Sequence, residues 1–271
     1  MLLLNFKRSM DGMNKNNIIT VVRVSLALVL WYAVVFLYRT FIDPVFEGVL
    51  SELVRNVLAT MVVPYTIGLG VFFLALSGMK KTPYVCEPQM SLGFGGMLKL
   101  FVIQTGLSFP LMIAVTVITR ITGHDATGIT PDELFGKLGF YIVLLLIFNP
   151  VFEELLFRKF ILERLGCLGF KGAVIVSAIL FAIPHCISQG PAQMFYAFAI
   201  GLVWGFVTLK TGKLWPAVIL HSLANVYGSF MPMIAAKTDP AMSALFVLFT
   251  MAVMVPLTVV LMVKNRRVIA G

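Results

Sequence analysis

Charge is what this chain has least of: Asp, Glu, Lys and Arg make up 12% of its 271 residues. An ordinary soluble domain carries roughly twice that share, ~25%. With 59% hydrophobic residues and a mean hydropathy of +0.97, the scarcity argues against a soluble domain and puts most of the chain in a bilayer. Cysteine is scarce too. Cys86, Cys167 and Cys186 are odd in number and scattered, which gives neither a disulfide framework nor metal-ligand spacing. No internal repeat is evident, which weighs against a transporter built on inverted halves. A cleavable leader is not visible: Lys15 is followed by Asn16, Asn17 and a full-length apolar run, so the first span reads as a retained anchor. Neither end carries a lipidation motif.

What is present is a series of long apolar runs. At about 20 residues per membrane helix, spans are expected near 18–38, 56–77, 97–118, 138–157, 173–190, 193–209, 214–233 and 242–263. The expected fold is therefore all-α, a single membrane-embedded domain over 1–271 with about eight transmembrane helices. Gly190-Pro191 separates the fifth span from the sixth, and Trp215-Pro216 opens the seventh. Gly212 suits the tight turn before it. The segment from Gly78 to Gly96, with Pro83 and Pro88, reads as an irregular connection beside an entrance.

The net charge of +9 could suggest nucleic acid, but its distribution follows membrane topology. With the N-terminus inside, the outer segments hold only Arg39, Arg55, Arg120, Lys137 and Lys237 among the basic residues. Lys7, Arg8, Lys15, Lys80, Lys81, Lys99, Arg158, Lys159, Arg164, Lys171, Lys210, Lys213, Lys264, Arg266 and Arg267 fall inside, and Arg23 lies within the first span. Both termini are expected to be cytoplasmic, with lipid rather than nucleic acid as the partner.

Against that apolar background a few polar residues stand out, since a charge in hydrocarbon costs at least about 2.5–3.5 kcal/mol. The segment from Asn149 to Arg158 holds adjacent Glu153 and Glu154 near the end of a run that is almost wholly apolar. Glu154 and Arg158 are four apart, the favourable order for a pair on one helix face, and Arg158 can reach the headgroups. Glu153 points about 100° away, with no partner in its own helix. Phe181 and His185 share a face of the fifth span, and His221 and Asn225 share one of the seventh.

Each of these has a plain structural reading. The glutamates can reach out at a helix end, His185 can bond a carbonyl near Pro184, and Asn225 can join helices. His124, next to Asp125, reads as a solvated loop residue. Gly201 and Gly205 allow close helix packing.

Depth links the four candidates. Counted from the cytoplasmic span ends at ~1.5 Å per residue, Glu153 lies roughly 7 Å deep, His221 about 10 Å, Asn225 about 16 Å and His185 ~12–18 Å. All four then share the cytoplasmic half of the bilayer. A desolvated carboxylate can take a proton from water, a histidine can hold that water, and a His with an Asn can donate to an oxyanion. No span pairs a Ser or Cys nucleophile with a base. Cys186 adjoins His185, but neighbours on a helix diverge by about 100°.

At these residues the sequence resembles the CPBP family of intramembrane proteases, which includes type II CAAX prenyl endopeptidases and bacterial Abi proteins. The family pattern E-E-x-x-x-R, F-x-x-x-H, H-x-x-x-N is met in order by Glu153, Glu154 and Arg158, by Phe181 and His185, and by His221 and Asn225. Leu214-Trp215-Pro216-Ala217 is similar as well. The likeness covers about 149–228, inside a motif-bearing core of 138–233; the first three spans show none.

The resemblance implies an eight-span glutamic protease with no catalytic metal and no cofactor. Glu153 would activate the water and His185 position it, His221 and Asn225 would form the oxyanion site, and Glu154 and Arg158 would support the helix. Substrates would be membrane-associated peptides or lipid-anchored proteins, prenylated ones included, cut near the cytoplasmic face of a prokaryotic cell membrane. Two alternatives stay open: a zinc protease with Glu153, His185 and His221 as ligands, though H-E-x-x-H is missing, and a non-catalytic peptide-binding or immunity-type protein.

Overall fold

The computed structural model describes residues 15–81, 91–122 and 129–266. His124, Asp125, Cys86, Pro83, Pro88, Lys7, Arg8 and Arg267 lie outside the described residues. Among those described, every regular element is helical. Eight helices among the described residues are long and apolar enough to cross a membrane: α1 Lys15–Phe46, α2 Glu52–Ala75, α3 Phe94–Ile121, α4 Leu138–Arg164, α5 Gly166–Gln189, α6 Pro191–Thr211, α7 Trp215–Thr238 and α8 Pro240–Lys264. The protein is an all-α polytopic membrane protein.

The turns follow the local chemistry. Gly190 (φ 90°) and Gly212 (φ 64°) adopt left-handed backbone between spans, where a side chain would be strained. Pro191 and Pro216 sit in the first turns of α6 and α7, where no amide donor is needed. The main departure from expectation is α4, which continues to Arg164 instead of ending near 157. Arg158 does not leave the span for the headgroups but is buried within it. Leu156, Phe157 and Ile161 around it are buried.

Two compact units are distinguished: residues 1–84 with 163–173, and residues 85–162 with 174–271. In the first, Trp31 donates Nε1–H to the Pro64 carbonyl at 2.8 Å, with Gly68 leaving room for the indole. Arg23 of α1 donates to the Ala75 and Ser77 carbonyls where α2 ends. Carbonyls in the last turn of a helix lack donors from a following turn. Asp43 and Arg55 form a two-pronged pair at 3.0 and 2.8 Å.

In the second unit, α6 packs along α3, and α3 along α8. Gly201 and Gly205 bring α6 against Ala178 and Val174 of α5; a Cβ on Gly201 would lie 3.2 Å from Ala178. Gly106 of α3 does the same against α8, where a Cβ would run into the Thr258 hydroxyl and come within 2.9 Å of the Met254 carbonyl. Gly106→Ala is therefore expected to destabilise the protein by about 1–3 kcal/mol, as overpacking does. Thermal unfolding in detergent, with Gly70→Ala as the control in open space, checks it.

One end of this unit is defined by its connections. Lys237, at the end of α7, pairs with Asp132 at 3.2 Å and lies over the Phe135 ring. Both belong to or flank the short helix Pro131–Gly136 before α4. Tyr141 of α4 donates to Glu133 of that helix at 2.6 Å.

Candidate active site

The site begins with a proline. Pro150 has no amide hydrogen, so the carbonyl of Leu146, four residues earlier, loses its helical donor. Around it the helix widens: Val143–Phe148 and Leu155–Ile161 are π-helical, flanking the α-helical turn Asn149–Glu154 that carries both glutamates. The loosened carbonyls are bonded by α7. Ser222 donates to Leu146 O at 2.9 Å, and Asn225 donates Nδ2–H to Leu145 O at 2.6 Å. These two bonds tie α7 to α4 about two turns before the glutamates.

Glu154 turns away from the cavity. One carboxylate oxygen lies 3.1 Å from Nε of Arg158 and the other 3.0 Å from Nδ1 of His221, with both acid and guanidinium side chains 0% exposed. The i,i+4 pair expected from the sequence is formed despite the π-helical turn between its members. Arg158 differs from the expectation that it reaches the headgroups. It points inward, donating to the Gly201 carbonyl at 3.3 Å, with its guanidinium 4.6 Å from the Phe181 ring centre and 5.3 Å from that of Trp204. A carboxylate, a carbonyl and two aromatic faces offset the loss of water better than a long side chain reaching past Ile161 would.

Glu153 is turned the other way, as the helical offset implied. Its Oε2 is buried without a hydrogen-bond partner among the described residues and faces Nε2 of His221 at 3.9 Å, beyond hydrogen-bond range. His221 thus stands between the two carboxylates. A carboxylate only accepts, so the His221 Nδ1–H donates to Glu154 and its Nε2 is left for the cavity. His185 bonds the Phe181 carbonyl through Nδ1 at 2.9 Å. A carbonyl also only accepts, so in the neutral ring Nε2 carries a lone pair.

Glu153, His185, His221 and Asn225 line one cavity of about 90 Å³, together with Phe181, Asn149 and Tyr196. A single water needs only ~10–15 Å³ by this measure, so a water and part of a substrate fit. The cavity deepens from Gln189, which is exposed at the last turn of α5, to buried Ile200, Tyr196 and His221. Ile129 and Gln193 line it near that mouth. The mouth is therefore at the end bearing the α3–α4 and α5–α6 connections. With α4 running to Arg164, Glu153 lies about 16 Å from that helix's end, not roughly 7 Å. Among the described residues, no group of three His, Cys, Asp or Glu is arranged to hold a metal ion.

Three contributors were not legible as such. Asn149 lay in the motif stretch without a role, Tyr196 donates to Ala224 O at 3.3 Å beside the cavity, and Trp204 stacks on His221. Their only signal in the sequence is a polar atom inside an apolar run.

Residues 136–227 match the family model described as Rce1-like, type II CAAX prenyl endopeptidase Rce1-like. That segment is similar to this family. The match bears out the family resemblance of the three motifs, and it spans α4 to α7, the helices that build the cavity. No curated protein and no solved structure matches the chain. At family level, the Rce1-like segment supports a CAAX-type membrane protease.

Proposed function

We propose that the protein is a glutamic intramembrane endopeptidase that hydrolyses peptide bonds of membrane-associated substrates. The observation that carries this reading is Glu153, a carboxylate whose Oε2 lacks a hydrogen-bond partner among the described residues, buried beside the cavity and faced by a histidine. Glu153 takes a proton from water as the water oxygen attacks the scissile carbonyl carbon. The His185 lone pair orients the water by accepting its other hydrogen. The oxyanion receives hydrogen bonds from the second Nδ2–H of Asn225 and from His221 Nε2–H. Because His221 Nδ1–H is committed to Glu154, that last bond requires the imidazolium. Glu153 then passes its proton to the leaving nitrogen as the C–N bond breaks.

The test is hydrolysis of membrane-anchored peptides, prenylated ones included, by purified protein with and without a strong chelator. Cleavage that survives chelation supports the reading; loss restored by zinc replaces it with the metal-dependent one.

The cavity mouth adds a side. The end holding Gln189 and Ile129 carries Arg120, Lys137 and Lys237 with Asp132, Glu133 and Asp239. The opposite end carries Lys99, Lys159, Lys210, Lys213, Lys264 and Arg266. By the positive-inside rule the mouth faces outward, and the substrate is a peptide at the outer leaflet. With the three native cysteines replaced by serine, a Gln189→Cys variant is expected to react with a membrane-impermeant maleimide in intact cells. Reaction only in inside-out vesicles would reverse the assignment.

A further inference from the structure

Gln104 is a carboxamide in the middle of α3, only 1% exposed, in a span that shows no likeness to the family and lies outside the matched segment. A polar side chain at that depth calls for a reason. Both ends of the amide are used. Oε1 accepts from Nε1–H of Trp204 at 2.7 Å, and Nε2 donates to the carbonyl of Leu220 at 2.9 Å. Leu220 immediately precedes His221, and Trp204, itself 0% exposed, stacks on the His221 ring with centroids 4.3 Å apart and planes 20° apart. Phe181 meets the same imidazole edge-on at 6.1 Å.

These contacts close a loop from Gln104 to the backbone beside His221, through the imidazole to the indole, and back to Gln104. The Glu154 bond fixes which way Nδ1 points within the ring plane, but leaves the plane free to rock about that bond. The indole face removes this freedom, and Gln104 holds the indole to the same helix that carries the histidine. We infer that Gln104 and Trp204 are positioning residues that fix the plane of the His221 ring, and hence the direction of Nε2 towards Glu153. The catalytic purpose of the clamp rests on the function proposed above; the ring contact does not.

The experiment has one arm for each. In protein carrying isotope-labelled histidine, the His221 signals are those lost in His221→Asn, the chain having three histidines. Stacking under an indole shifts ring protons upfield, so Trp204→Leu is expected to move them downfield. Trp204→Phe, which keeps an aromatic face but no N–H, restores part of the shift. Gln104→Leu, which releases the indole, moves the signals in the same direction as Trp204→Leu. If Trp204→Leu does not fold, Trp204→Phe and Gln104→Glu carry the test, the latter keeping the acceptor for the indole and losing the donor to Leu220.

On a peptide cleaved by the wild type, Gln104→Leu is expected to lower kcat by about 10²-fold, the scale of a small misplacement, with KM little changed. His221 signals unmoved by these variants would overturn the clamp. Signals that move while kcat holds would overturn its catalytic purpose alone. Wild-type hydrolysis that persists in His221→Asn would instead count against the proposed function, whatever the spectra show.

Discussion

Glu153→Gln is expected to lower peptide hydrolysis by about 10²–10⁴-fold, the usual contribution of a positioned general base. Glutamine keeps the size and most of the polarity of the side chain but cannot take a proton from water. Little of the fold depends on this group: its Oε2 has no hydrogen-bond partner among the described residues, and its nearest ionic neighbour is His221 at 3.9 Å. The variant should therefore unfold at a temperature close to that of the wild type. Glu153→Asp should fall between the two, since it keeps the base but withdraws it by about one methylene, roughly 1.5 Å, from the reacting atoms. The measurement is initial-rate hydrolysis of one peptide by all three proteins, with unfolding temperatures recorded in parallel. A folded Glu153→Gln that hydrolyses at the wild-type rate would end the mechanism, and with it the distinction from a peptide-binding protein.

The second large effect is on stability. Arg158→Met is expected to cost about 3–5 kcal/mol, because it leaves Glu154 buried with its charge uncompensated. Glu154 would keep only the His221 Nδ1–H at 3.0 Å, and the Gly201 carbonyl would lose its guanidinium donor. The double variant Glu154→Gln with Arg158→Met removes both charges and should be less destabilised than Arg158→Met alone. Chemical or thermal unfolding in one detergent, compared over the two single variants and the double, gives the coupling. Additive losses would mean that the 3.1 Å contact contributes nothing as a pair. Activity should not return in the double variant, since the group that orients His221 is then an amide whose oxygen accepts far more weakly.

These two predictions separate adjacent glutamates that the sequence distinguishes only by helical offset. That offset was enough to read their directions apart: one faces a basic residue four positions on, and the other points elsewhere. Hydropathy alone was likewise enough for the eight spans, because a bilayer demands about 20 apolar residues per helix wherever the chain crosses it. The turns at Gly190 and Gly212 could be read from backbone chemistry for the same kind of reason: the constraint is local.

What the sequence could not determine depends on neighbours far along the chain. Arg158 looked free to reach the headgroups. Only the packing of α5 and α6 brings Phe181, the Gly201 carbonyl and Trp204 to its guanidinium, and with it the extension of α4 to Arg164. Gln104 and His221 are 117 positions apart by their numbering, and no spacing rule relates them. The tertiary structure makes them part of one hydrogen-bonded and stacked loop. The cavity mouth belongs to the same class: each span records which residues share its face, but the side on which those faces open is set by where Ile129, Gln189 and Gln193 meet. Periodicity and hydropathy act within a helix, so the sequence determined the spans and the candidate chemistry. Contacts between helices act across the chain, so only the fold decided which polar groups are partnered and which one is left facing the cavity.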